Sequence, residues 1–369
     1  MSAAFRPCIA TALALALTGC AAPTTRPVTP QSALVEVEAQ KQQEIALRSQ
    51  LDAQARLLRV AFPILKTSAD LCKDLVRTSL GILSATRYSF DRQARDTAIR
   101  MLGVGEVPKV VYVIPGSPGD AAGIRTGDVL VAVGGQAVAT GEEAVKTLNE
   151  ELFGRLKPGE AVTVSLMREG VRQDLIVTPT TTCDVPPILQ VSDEVNAFTD
   201  GEKIVVTRGL MRFTENDQEL ALVISHELAH AAMGHVTAQT QNYVLGSLLD
   251  ILAAAYGINT GGTIGKVAAG VYSKGFEAEA DYVGLYMMAR AGLPVDNAAS
   301  FWRRMAAEHP QSIHRSATSS HPSTPERFIA IEGAVEEIAR KRAGGLALAP
   351  ELKATRSDAG EQTPAGVAP

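Results

Sequence analysis

The chain reads as α+β: a mainly helical domain with a short β-sheet, preceded by a small β-rich domain. Three observations carry this. Residues 109–177 hold short alternating apolar runs separated by glycine and proline turns, the pattern of strands. From residue 216 the apolar residues recur at helical intervals. The chain has 369 residues, 46% of them hydrophobic, enough for two cores plus tails. The formal net charge of −5 gives no support to nucleic-acid binding.

Residues 1–19 carry a positive start at Arg6 and an apolar stretch at 9–18. That stretch is shorter than the ~20 residues a membrane span needs. Leu17-Thr18-Gly19-Cys20 resembles a bacterial lipobox. The resemblance implies that 1–19 are a signal peptide and that Cys20 is lipidated. Ala21 follows, not aspartate, which by the usual sorting pattern implies the periplasmic face of an outer membrane. Residues 20–34, rich in Pro and Thr, then read as a lipidated tether. Such a compartment permits disulfides. Cys8 leaves with the signal and Cys20 is acylated, so Cys72 and Cys183 remain. They bracket the β-rich domain, either as two buried thiols or as a disulfide that clips its ends. A bond there is worth roughly 4–5 kcal/mol on the chain-entropy model.

Residues 35–87 form an N-terminal helical region. Ile45, Leu51 and Leu58 stand at helical spacings, and the helix is expected to stop before Pro63 and to pack on the later helical domain. Residues 88–182 form the β-rich domain. It starts with a strand at 109–114, the turn cluster Pro115-Gly116-Ser117-Pro118-Gly119, and a strand at 129–133 ended by Gly134-Gly135. A helix at 141–153 is broken by Lys157-Pro158-Gly159. Val162, Val164 and Leu166 alternate with polar residues, and Glu169-Gly170 turns the chain into 171–177. The run from Val113-Ile114-Pro115-Gly116 through Gly127-Asp128-Val129-Leu130 resembles a PDZ domain of the bacterial HtrA type. Met101-Leu102-Gly103-Val104 stands where that family keeps its carboxylate-binding loop. The resemblance implies that Leu102, Gly103 and Val104 present amides to a peptide C-terminus, although some such domains serve only as spacers or regulators.

Chemistry concentrates in the next domain, residues 183–343. Asn216 is a good N-cap, with Glu219 placed to reach back to it. Leu220, Ile224 and Leu228 form an apolar stripe, and His226 and His230 lie on the other side of the helix. Two histidines four apart share a face and can hold one zinc ion; Glu227 between them is placed as a general base. The chain has only six histidines. A metzincin third ligand fails: a histidine would be needed at Val236 and a glycine at Met233. His235 comes one residue too early and reads as a structural helix-end residue. In Glu277-Ala278-Glu279-Ala280-Asp281, Glu277 and Asp281 share a helix face. Glu277 is the candidate third ligand and Asp281 a partner that orients a ligand histidine. Glu279 falls on another face and is expected to be solvated.

Ser225-His226-Glu227-Leu228-Ala229-His230, then Glu277 to Asp281, then His321-Pro322-Ser323-Thr324-Pro325-Glu326-Arg327 appear in that order. This order resembles the HtpX/BepA-type zinc metallopeptidases, relatives of the CAAX prenyl proteases. Val195-Asn196-Ala197-Phe198 and residues 204–210 resemble the strand pair before that family's motif helix. The likeness covers roughly residues 184–342. It implies a gluzincin-like fold, one zinc held by His226, His230 and Glu277, Glu227 as base, and Asp281 behind the ligands. It makes residues 321–327 a candidate site element. His321 approaches the metal or a developing oxyanion, or else the segment is only a loop capped by Ser323 or Thr324. Arg327 is its expected anchor. The implied substrates are unfolded or misassembled envelope proteins, with extended peptide pairing to the strand at 196–198.

The remaining segments are plainer. Residues 243–272 are apolar and Gly-rich, expected as two core helices flanking a mobile loop rather than as a membrane-inserting hairpin. Trp302 is expected in the core, His309 and His314 on the surface. Residues 344–369 are expected to be disordered.

Overall fold

The computed structural model describes residues 25–255, 258, 260–261, 263–308, 310, 321 and 323–351. Cys20, the signal segment, His309, His314 and the tail from 352 lie outside the described residues. The chain divides into two units, residues 1–45 and 46–369. Helix α1 (Ser32–Thr67) begins in the first, where its side chains are almost all exposed. In the second unit its Leu57, Val60, Ala61, Ile64 and Leu65 join the main core. Pro63 lies inside α1 and does not end it. A mid-helix proline costs about 3 kcal/mol. Full burial of Ile64 and Leu65 supplies about 1.5–3 kcal/mol each, which outweighs that penalty.

Two short strands, β1 (Val76–Ser79) and β2 (Ile82–Ala85), occupy sequence expected to be helical. Four residues are too few to display a period, and their partners lie far along the chain. The β-rich domain thus starts earlier than residue 88. Its sheet adds β3 (Lys109–Val113), β4 (Val129–Val133), β5 (Gln136–Ala137), β6 (Val162–Arg168) and β7 (Val171–Val177). The order is β2-β3-β4-β6-β7, all antiparallel, with β5 on β4, and the domain also carries the helices α2 (Arg95–Leu102) and α3 (Ala144–Thr147). Glu169 and Gly170 both take positive φ, the geometry of a two-residue hairpin turn. β1 pairs antiparallel with β8 (Thr180–Cys183), and a Cys72–Cys183 disulfide joins the two ends of the domain beside that pair.

The helical domain opens with a three-stranded sheet. β9 (Pro187–Gln190) lies parallel to β11 (Ile204–Thr207), and β10 (Ala197–Thr199) forms the other edge, antiparallel to β11. Thr207 caps α4 (Arg208–Phe213). Then come α5 (Asp217–Ala232), α6 (His235–Ala255), α7 (Thr263–Arg290), α8 (Ala298–Glu308) and α9 (Pro325–Ala343). Leu220, Ile224 and Leu228 of α5 are fully buried with Leu285, Tyr286 and Met288 of α7.

Two further expectations fail. Residues 344–351 are fixed, not disordered: Lys341 Nζ reaches Glu351 at 2.7 Å, the Glu351 amide donates to the Tyr282 hydroxyl, and Leu348 packs on the core. And α6 is not a core helix on all sides: Leu245, Leu248, Leu249, Ile251 and Leu252 are exposed. No helix among the described residues is long and apolar enough to cross a membrane.

Candidate metal centre

The motif helix α5 starts as its sequence directs. The Asn216 side chain accepts from the Glu219 amide at 3.0 Å, and the Glu219 carboxylate accepts from the Glu215 amide, one residue before the cap. Helix α7 crosses it closely. A Cβ on Gly284 would sit 3.0 Å from the Ser225 carbonyl oxygen, so glycine there lets the two helices meet at the motif. This contact brings Glu277 and Asp281 to the histidines.

His226, His230, Glu277 and His321 each offer one ligand atom, and these atoms lie within 4.8 Å of one another. His230 Nε2 is 3.2 Å from Glu277 Oε1, and His226 Nε2 is 3.5 Å from Glu277 Oε2. His321 Nδ1 is 3.0 Å from Glu277 Oε1, and its Nε2 is 3.5 Å from Glu227 Oε1. The structure thus brings His321, the least determined of the expected site residues, to the ligand cluster itself. His226, Glu227, His230, Glu277 and Asp281 are all buried.

Behind the ligands stand two lines of support. His226 Nδ1 lies 3.0 Å from Asp281 Oδ1, and Arg327 grips that carboxylate with both arms, Nε donating to Oδ2 and Nη2 to Oδ1, each at 2.8 Å. Arg327 Nη1 also reaches Glu277 Oε2 at 2.9 Å. On the other flank His230 Nδ1 meets His235 Nδ1 at 3.0 Å, and His235 Nε2 meets Glu279 Oε2 at 3.0 Å. Phe276 stacks on the His235 ring at 4.6 Å. Glu279 is therefore not simply solvated. With His230 Nε2 turned to the ligand cluster, its Nδ1–H is free to donate to His235, whose Nε2–H donates to Glu279; this tautomer assignment follows from the contacts. Sequence reasoning gave His235 a structural role and missed this connection, because Glu279 arrives from a helix 44 residues away. Trp302 closes one side, its ring 5.0 Å from that of His226.

The charges favour a cation at the centre. Burial pushes the His226 ring down, but Asp281 and Glu277 outweigh burial and hold it up at about 10. Burial likewise opposes the Glu277 carboxylate, yet His321, His226 and His230 hold it well below the ordinary range. Asp281 is desolvated and still held low, by Arg327 and His226. Burial lowers the His230 ring, and the carboxylates that hold a proton on His226 would equally favour a metal cation that displaces it. Two imidazole nitrogens and a carboxylate oxygen, buried and convergent, form a donor set that suits zinc.

Comparison with known proteins agrees with this geometry. Residues 186–335 match the model of Peptidase family M48, and residues 109–151 match that of a PDZ domain. The helical domain is similar to peptidase family M48 over residues 186–335. Its similarity extends to the Mitochondrial metalloendopeptidase OMA1 of Schizosaccharomyces pombe, 31% identical over 154 residues, covering 40% of this chain and 45% of that protein. The Beta-barrel assembly-enhancing protease of Yersinia pestis is 29% identical over 130 residues, 31% of this chain and 27% of that one. OMA1 of Saccharomyces cerevisiae is 29% identical over 146 residues, 36% and 41%. The matched part spans less than half the length of these relatives. Every residue of the ligand cluster and its supports lies inside the matched M48 region.

In the PDZ domain the expected carboxylate loop is differently occupied. Leu102 ends the helix α2 (Arg95–Leu102), and the Gly103 amide is spent on the Ile99 carbonyl as the helix cap. Val104 is buried with Leu47, Ala85 and Ala98, and Lys109 Nζ holds the Leu102 carbonyl at 2.8 Å. One of the three expected amides is thus already bonded within the domain.

Proposed function

We propose that the chain is a zinc-dependent endopeptidase of gluzincin type, acting on envelope proteins in periplasmic quality control, with its PDZ domain recognising or regulating substrate. The observation that carries the chemistry is the convergence of His226, His230 and Glu277 beside Glu227. Zinc bound there would lower the pKa of a water to about 7 and polarise a carbonyl. Glu227 takes the proton of the attacking water and hands it to the leaving amine. Asp281 and His235 hold the ligand rings in orientation, and Arg327 keeps Asp281 and Glu277 charged. The edge strand β10 supports pairing with an extended peptide, with Phe198 partly exposed beside it. The address at the periplasmic face of an outer membrane rests on the lipobox ending at Cys20. In this reading the Cys20 lipid is the membrane anchor, unfolded or misassembled envelope proteins are the substrates, and kinship to the HtpX-type and CAAX enzymes is part of the assignment.

Casein cleavage by the chain from Ala21 tests the activity. Cleavage that a chelator stops and added zinc restores supports the reading; cleavage untouched by chelation contradicts it. A second reading has one observation behind it. The His321 ring stands among the ligands and against Glu227, where it would fill the position that water needs. The site is then gated, and the resting protein binds substrate without cutting it. His321→Ala raises cleavage if the ring is a gate and lowers it if the ring stabilises the oxyanion.

A further inference from the structure

From residue 236 to residue 264 the sequence contains one charged residue, Asp250. Asp250 is buried, and its Oδ1 accepts from the Ile264 amide at 3.1 Å, so it is turned toward the start of α7. The outward face of α6 from Tyr243 onward consists of Tyr243, Val244, Leu245, Leu248, Leu249, Ile251 and Leu252, with exposures of 48–65%. Just before it, Gln239, Thr240 and Gln241 are exposed and polar. An apolar face of this kind on a folded domain marks a surface that something covers.

We infer that this face docks into the hydrocarbon of a single membrane leaflet. Length decides between crossing and docking: Tyr243 to Ala255 rises only about 18 Å, against ~30 Å for a full hydrocarbon core. The order polar collar, tyrosine, unbroken aliphatic face is the order of the headgroup region, the interface and the acyl chains. Chemistry decides between lipid and protein. A protein interface offers about one hydrogen bond per 100–200 Å². Here the Tyr243 hydroxyl is the only side-chain hydrogen-bonding group among the exposed residues from 243 to 255. Lipid requires no register and no partner for such groups. The docking needs no lipid on Cys20, and it places the M48 domain against a bilayer whether or not the proposed peptidase activity holds.

The test uses the chain from Ala21, which retains every described residue, floated on vesicles of phosphatidylethanolamine and phosphatidylglycerol. The parent is expected to float. Leu245→Glu combined with Leu249→Glu and Leu252→Glu is expected to cut the floating fraction by at least roughly tenfold. Ile329→Glu, at an exposed apolar position on α9, is expected to float like the parent. A second readout does not depend on a destabilising change. With Cys72 and Cys183 bonded to each other, Leu249→Cys supplies the single free thiol. An environment-sensitive fluorophore on it should brighten with vesicles, whereas one on Val171→Cys should not. A parent that stays at the bottom of the gradient, or a fluorophore at 249 indifferent to vesicles, overturns the inference. So does a dimer by light scattering that the three glutamates dissolve while the parent ignores vesicles, which would assign the face to a second copy.

Discussion

Helices α5 and α6 follow each other with a two-residue break and are built inside out relative to one another. In α5 the histidines and a glutamate are buried, with every side chain from Leu220 to Ala232 enclosed. In α6 the leucines face outward and the one acid is turned in. Hydrophobic periodicity alone would have placed both stripes inward. The difference is set by partners: α7 supplies Glu277, Asp281 and Glu279 to the polar groups of α5 and to His235, whereas nothing in the described residues covers the outer face of α6.

The largest effect that sharpens this contrast is chemical. Glu227→Gln should lower cleavage by about 10²–10⁴-fold while leaving metal content intact, since only proton transfer is lost. Arg327→Met should be the most destabilising change near the site, about 3–5 kcal/mol by denaturant melts, because it leaves two buried carboxylates with less compensation. The two helices can then be compared directly. Ile224→Ala on α5 should cost about 2–5 kcal/mol. Leu249→Ala on α6 should stay within about 0.5 kcal/mol in the absence of lipid. Equal losses at the two positions would break the comparison. His235→Ala should weaken zinc binding by about 10–100-fold, read in competition with a chelator, with little change in thermal stability of the zinc-loaded protein.

The smallest effect lies at the start of α5. Asp217 is partly desolvated, yet hydrogen bonds from Arg56 and Arg59 hold its carboxyl below the ordinary range. A carboxyl lowered in the folded state adds stability that is complete above its unfolded pKa, near 4, and disappears as pH falls through the lower folded value. Asp217 and Arg59 are about half exposed, at 49% and 51%, so the contribution is under about 1 kcal/mol. Asp217→Asn should therefore lower the melting temperature slightly at pH 7 and not at all in strong acid.

What the sequence disclosed was local. The Asn216 cap, the His226/His230 pair and the Glu277/Asp281 face all follow from spacing within one helix. The β-hairpin at Glu169-Gly170 follows from its turn residues. What stayed hidden depends on distant contacts. β1 is paired by β8, more than a hundred residues on; Glu279 meets His235 only because α6 starts beside α7; Pro63 is tolerated only because its neighbours are buried. Likewise, α2 takes up the Gly103 amide that the PDZ resemblance had reserved for a peptide.

The central claim is that His226, Glu227, His230 and Glu277 form a working metallopeptidase site. It is tested most directly by measuring zinc content and casein cleavage side by side for the chain from Ala21 and its Glu227→Gln variant. One zinc per chain in both, with cleavage in the parent alone, is the predicted result. Metal-replete protein that holds no zinc, or a variant that cleaves as fast as its parent, would contradict it.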